Sequence, residues 1–192
     1  MPIGASRAAL MGIAGVSSSD VVLLATQTAS GSPTSLTFSS DIDDTYKEYI
    51  FSFENMHSTN DGANFTFQTG ASYNEPITSA AYRSENSDSG SNNWGFAPAN
   101  IQGNGTAEQL LYHELDNDND SAVCGVLHLF NPSSTTYVKQ WFSRVQGSKN
   151  SDTSMEVYTA GYINTTSALT QVRFTIASGS IQSGTIKMYG VK

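Results

Sequence analysis

The chain has 192 residues, with 17 acidic and 9 basic side chains and a formal net charge of −8 at pH 7. This length fits one all-β domain, and an acidic chain without a basic stripe argues against nucleic-acid phosphate as a partner. No apolar stretch reaches the roughly 18 residues that a membrane-spanning helix needs, so we expect no membrane insertion.

The first 19 residues are rich in glycine and alanine and differ from the rest of the chain. Arg7 followed by a short apolar run is similar to a secretory signal peptide, which is one reading of this segment. The other is a docking arm, in which small residues allow close backbone approach to a second protein. We expect the arm, with Ile3, Leu10, Met11 and Ile13 as the side chains that it buries.

From residue 20 onward, short apolar and β-branched runs alternate with turns. These runs predict about ten strands, at residues 21–28, 36–38, 46–56, 63–73, 106–115, 122–130, 137–146, 155–163, 171–177 and 185–191. Asn60, Asp61 and Gly62 form a strong turn signal between two of them. Residues 108–115 contain helix-forming residues, but we predict a strand because they pair naturally with residues 122–130 across a turn.

The number of strands and the length of the loops indicate the fold class. Eight or more antiparallel strands with long irregular loops predict an all-β, antiparallel jelly-roll sandwich over residues 20–192, preceded by the arm at residues 1–19. The longest loop is predicted at about residues 84–105, and loops of this length are usually functional or disordered.

Several segments resemble one group of proteins. Residues 183–192 (SGTIKMYGVK), 127–139 and 160–168 are similar to recurrent segments of small β-rich virion surface proteins of tailed marine and cyanobacterial bacteriophages. Residues 26–30, residues 44–51 and the glycine- and alanine-rich opening are similar too. The resemblance implies a non-enzymatic structural protein on the virion surface, with capsid or tail proteins as partners. It also implies a decoration or fibre role, host attachment, and a homotrimer.

A candidate ligand site lies in the predicted long loop, which contains Trp94, Phe96 and Asn100 among many Ser, Asn and Gly residues. Aromatic rings stack on sugar rings while amides bond the hydroxyl groups, so these residues predict a site for a host-surface glycan. The alternative is that Trp94 packs the loop onto the sandwich or onto a neighbouring subunit.

A second candidate is the acidic run at residues 114–121, in which Asp116, Asp118 and Asp120 have the alternate spacing that lets oxygens converge on Ca²⁺. The EF-hand pattern then fails, because Ser121 stands in place of its glycine and Leu127 in place of its glutamate. The alternative is a solvated hairpin turn, since Asp and Asn favour turns. Beyond this possible Ca²⁺, no cofactor is expected.

Catalytic signals are weak. The sequence has no Gly-x-Ser-x-Gly elbow, and His57, His113 and His128 lack metal-ligand spacing. The single cysteine, Cys124, lies among apolar neighbours and is predicted to be a small buried side chain. We therefore expect no enzyme activity. A lectin-like adhesion module is the competing class, and a polysaccharide-degrading enzyme is a remote third.

Overall fold

The computed structural model describes residues 20–192, which form an all-β fold. These residues contain twelve strands, one turn of 3-10 helix at Pro98–Asn100 and no α-helix. The strands are β1 (Val21–Thr28), β2 (Ser35–Phe38), β3 (Glu48–Ser58), β4 (Ala63–Thr69), β5 (Ile77–Ser87), β6 (Asn92–Phe96), β7 (Gln109–Leu115), β8 (Val123–Phe130), β9 (Lys139–Lys149), β10 (Thr153–Ile163), β11 (Val172–Ala177) and β12 (Ile181–Val191). The predicted all-β class is confirmed.

All pairings are antiparallel, and the sheet is nearly closed into a barrel. Its larger part runs β1-β12-β3-β8-β9-β10-β5-β6, and its smaller part runs β7-β4-β11-β2. The two parts meet at one bridge, between Leu115 of β7 and Lys149 of β9. The two parts enclose a shared core, so each has one face toward the interior and one toward solvent.

The interior between the two parts is packed with aromatic rings. Phe174 of β11 lies at its centre, with ring centroids 5.2 Å from Phe51 and 5.1 Å from Phe53 on the opposite part. Phe67 of β4 packs edge-on against Trp141 of β9 at 4.8 Å. Each side chain of this size contributes about 1.5–3 kcal/mol when removed from water, so this cluster contributes substantially to stability.

Two hairpins, β5–β6 and β9–β10, extend the larger part beyond β8. β5 and β10 pair without a bulge over eleven residues each, and β6 pairs with β5 as an edge strand. Gly161 allows β10 to approach β5, because a Cβ at this position would lie 2.2 Å from the carbonyl oxygen of Thr78. This extension carries the candidate site described below.

The strand prediction was incomplete in one region. The predicted loop at residues 84–105 instead contains the end of β5, all of β6 and the 3-10 turn, so its extent was wrong. The strand predicted at residues 108–115 is confirmed as β7, but its predicted pairing with residues 122–130 is wrong, since β7 pairs with β4 and β8 pairs with β3 and β9. The predicted turn before β4 holds Gly62 at φ 69°. Cys124 is half-buried rather than buried, and its Sγ accepts a hydrogen bond from the backbone N–H of Asn55 at 3.3 Å.

Two further predictions concern the N-terminal arm and membrane insertion. The predicted arm residues, Ile3, Leu10, Met11 and Ile13, lie outside the described residues. Within residues 20–192, no helix has the length and apolar character required to cross a membrane.

Candidate binding site: an aromatic groove

Five aromatic side chains surround a cavity on the outer face of the extension, and we call it the aromatic groove. Its aromatic residues are Tyr82 on β5, Trp94 and Phe96 on β6, Phe142 on β9 and Tyr158 on β10. The cavity has a volume of about 620 Å³ and is completed by small residues, Ala80, Ala81, Gly95, Ser143, Thr159 and Ala160.

The register of the strands places these rings together. Phe96 lies opposite Tyr82, and Tyr82 lies opposite Tyr158, so the three side chains form one row across β6, β5 and β10. Side chains directly opposite on paired strands point to the same face. The Tyr82 and Tyr158 rings stack at 4.9 Å with an interplanar angle of 11°. The small side chains between the rings leave the space that becomes the cavity.

The rings of the groove are unusually exposed. Trp94 is 80% exposed and Phe96 is 82% exposed, whereas Tyr82 and Phe142 are about half-exposed. Isolated apolar side chains are common on protein surfaces, but a contiguous group of large rings marks a contact site. The groove is therefore the strongest candidate for a binding surface in the described part of the chain.

The charges around the groove are paired with each other. Arg144 forms an ion pair with Glu156, which raises the pKa of Arg144, and its guanidinium lies 5.4 Å from the centre of the Tyr158 ring. Desolvation, and then Glu156, raise the pKa of Tyr158. At the other end, His128 stacks on Phe142 at 4.4 Å and bonds Glu48 through Nδ1. The groove thus has an apolar lining, and the arginine beside it is paired with a carboxylate.

The structure separates the three residues predicted to bind a ligand. Trp94 and Phe96 lie together in the groove, on a strand rather than on a loop. Asn100 is fully buried, and its side-chain oxygen bonds His113 at 2.8 Å, so its placement in a surface site is corrected. Tyr82, Phe142 and Tyr158 were missed because only strand pairing shows that they share one face with Trp94.

Asn100 belongs to a buried polar network under β5. Its Oδ1 accepts the Nδ1–H of His113, which leaves Nε2 as the acceptor facing Arg83 Nη1 at 3.4 Å. Burial, and then Arg83, lower the pKa of His113. Gln109 adds a bond of 2.6 Å to the carbonyl oxygen of Asn100. The network holds β7 and the 3-10 turn against β5, so it supports the groove from beneath.

The acidic residues predicted to bind Ca²⁺ lie in the loop that joins β7 to β8, two strands that do not pair with each other. Asp116, Asp118 and Asp120 line a cavity of about 550 Å³ together with Asp88 and Asp152. The backbone N–H of Asp118 bonds a carboxylate oxygen of Asp116 at 3.1 Å, as in a turn. Throughout residues 20–192, no three His, Cys, Asp or Glu side chains are placed to hold a metal ion. The geometry therefore gives the predicted Ca²⁺ site no support, and the alternative of a hairpin turn is corrected to a turn within a loop that joins the two parts of the sheet.

Comparisons with models of protein families, with curated proteins and with solved structures found no match for this chain. The groove, its charges and its position on the fold are therefore the basis for a functional proposal.

Proposed function

We propose that this chain is a non-enzymatic surface protein of a bacteriophage virion that attaches to saccharide on the host envelope through the aromatic groove. The observation that carries the proposal is the row of exposed rings around a concave site. The cavity, about 620 Å³, lies within the roughly 300–1,000 Å³ typical of small-ligand sites. Aromatic faces on a rigid sheet offer flat stacking surfaces for sugar rings.

The chemistry of the groove favours binding over hydrolysis. Glycoside hydrolysis uses two carboxyl groups that flank the scissile bond. The described residues that line the groove include no Asp and no Glu, and Glu156, two residues before Tyr158 on β10, is paired with Arg144. A ligand would therefore meet rings and small side chains.

We further infer a jelly-roll architecture. Apart from the two hairpins of the extension, the strand orders are β1-β12-β3-β8 and β2-β11-β4-β7. Two four-stranded sheets with this interleaved order are what two nested Greek keys produce. In this interpretation, β5–β6 and β9–β10 are insertions into the jelly roll, and they create the groove. The virion setting and three-fold assembly are supported by the resemblance of residues 127–139, 160–168 and 183–192 to phage surface proteins.

Glycan-array binding tests the proposal directly. Labelled wild-type protein is compared with a Trp94→Ala/Phe96→Ala variant and with Tyr137→Ala as a matched control, since Tyr137 is a 73% exposed aromatic residue outside the groove. We expect the double variant to lose glycan binding and Tyr137→Ala to retain it. Equal binding by all three proteins would assign recognition to another surface. Release of reducing ends from bound polysaccharide would instead indicate an enzyme.

The setting and the oligomeric state need separate measurements. Mass spectrometry of purified virions should find the protein on the particle, and light scattering of the isolated protein should give the mass of three chains. Absence from virions would leave a free adhesion module, whereas a monomeric mass would contradict an obligate trimer.

A further inference from the structure

We propose that the groove selects neutral polysaccharide and discriminates against acidic polysaccharide. This inference rests on the proposed function, because it requires that the groove binds saccharide. The ligand class is an uncharged chain of sugar rings, which binds by stacking on Trp94, Phe96 and the Tyr82–Tyr158 pair.

The lining of the groove provides nothing that would bind an anion. All its described residues are aromatic or small and uncharged. Carboxylate and sulfate groups are recognised by Arg, Lys or a cluster of backbone N–H donors. An acidic sugar in this groove would lose water from its charged group without gaining a partner, which is unfavourable.

The arginine placed over the groove, Arg144, is paired with a carboxylate. The guanidinium of Arg144 lies over the ring of Tyr158 and donates from Nε to Glu156. A sugar carboxylate would have to compete with the carboxylate of Glu156 for this side chain. Glu156 therefore offsets the charge that Arg144 would offer to an acidic sugar, whereas a neutral sugar needs no such partner.

Negative charge at the ends of the hairpins opposes the approach of an anion at low ionic strength, across the roughly 20 Å of strand between Tyr82 and Asp88. The hairpins that build the groove end in turns that carry Asp88 and Asp152, which line the acidic cavity with Asp116, Asp118 and Asp120. The whole chain has a net charge of −8. Like charge repels an approaching polyanion, and the repulsion weakens as salt is added.

The shape of the groove favours a chain of sugars over a single ring. From β6 to β9 it crosses three inter-strand spacings, or about 14 Å at roughly 4.8 Å for each spacing. Trp94 and Phe96 alternate with Gly95 on β6, which puts their Cβ atoms about 7 Å apart on one face. Successive rings of a polysaccharide can stack on successive aromatic side chains.

Titration calorimetry with matched oligosaccharides tests the inference. The neutral probes are hexasaccharides of glucose, galactose and mannose, and the acidic probes are hexasaccharides of galacturonic and mannuronic acid, each at low and high salt. We expect a neutral probe to bind with little dependence on salt, and the acidic probes to bind at least several-fold more weakly.

Two variants separate the role of Glu156 from a general effect of charge. Glu156→Gln frees Arg144, so acidic binding should strengthen and become salt-sensitive. Glu54→Gln is the matched control. Glu54 is the ion-pair partner of Lys187, and neither residue lines the groove, so this variant also frees a cation but at another surface. The ratio of neutral to acidic affinity should fall in Glu156→Gln and remain at the wild-type value in Glu54→Gln.

The outcomes distinguish this inference from the function on which it rests. Acidic probes that bind the wild type as tightly as neutral ones would overturn the neutral class but leave saccharide attachment intact. Failure of both classes would overturn both proposals. If the probes fail and Trp94→Ala also lowers the mass of the assembly, the groove is covered by a second copy of the chain.

Discussion

Two groups of aromatic residues lie on opposite faces of the same sheet. On β9, Trp141 is 2% exposed and packs against Phe67, while the next residue, Phe142, is 41% exposed and lines the groove. Strand geometry alone separates the two, because successive side chains point to opposite faces. The inner group excludes water from the core, whereas the outer group leaves its rings available. The same residue type thus serves stability on one face and contact on the other.

The inner group should be by far the more sensitive to truncation. Phe174 is fully buried and contacts Phe38, Phe51, Phe53, Phe65 and Phe67. Phe174→Ala should lower the free energy of unfolding by about 3–5 kcal/mol, since it removes buried area and leaves a cavity. Urea denaturation measures the loss, with Phe142→Ala as the control on the outer face. A loss of similar size in both variants would contradict the comparison.

A buried charge should rank next. Lys139 is fully buried, and its Nζ donates to the carbonyl oxygens of Ser134, Tyr137 and Thr165 at 2.6, 3.1 and 3.0 Å. Lys139→Met keeps the apolar stem but leaves these acceptors unpaired, so it should cost about 1–3 kcal/mol. Thermal denaturation with Lys187→Met, a partly exposed lysine, as control measures the difference. An unchanged melting temperature for Lys139→Met would show that water replaces the ammonium group.

The buried network under the groove should make stability dependent on pH. The folded-state pKa of His113 lies below its ordinary value of 6.5, because burial and Arg83 disfavour the charged ring. The unfolded chain then binds the proton more readily, so the free energy of unfolding should fall as pH drops below about 6.5. Glu85, Glu114 and Lys149 are the other charged groups that act on the ring. Melting curves recorded between neutral and mildly acidic pH measure the effect. His113→Gln should make the free energy of unfolding less dependent on pH. An equally steep pH dependence in this variant would show that other groups cause it.

The outer group should have the smallest effect on stability. Trp94→Ala and Phe96→Ala remove exposed rings, so each should change the free energy of unfolding by less than about 0.5 kcal/mol. The same variants should abolish saccharide binding. Denaturation and glycan binding are measured on the same preparations. A large loss of stability would place the rings in the packing of the fold instead of in a contact site.

Much of the fold was predictable from the sequence. The run at residues 21–28 is β1, which its apolar and β-branched residues indicate. Residues 171–177 contain β11, in which apolar residues alternate with a period of two. β5 was missed because its inner face carries Ser79, Arg83 and Glu85, so apolar residues do not alternate regularly along it. β6 was missed because five residues with Asn, Gly and exposed rings look like a loop. These strands are defined by their pairing partners more than by their own composition.

The site was predictable only in part. Trp94 and Phe96 were found because aromatic residues are conspicuous among Ser, Asn and Gly. Asn100 lies just four residues beyond Phe96, yet the 3-10 turn directs its side chain to His113 in the interior. Tyr82 and Tyr158 are far apart in the sequence, and their stacking follows from the β5–β10 register. Proximity along the chain was a poor guide to which side chains share a surface.

The position of β12 has a consequence for how the protein folds. β12 follows every other described strand in the sequence, yet it pairs with both β1 and β3, and β1 has no other neighbour in the sheet. One contact across this pair, between Thr28 and Thr185, joins residues 157 positions apart. Among the described strands, β1 therefore has no partner in the sheet until β12 is synthesised. Contacts this distant slow folding and prolong the exposure of open edges, so β12 acts as the closing step of the chain's assembly.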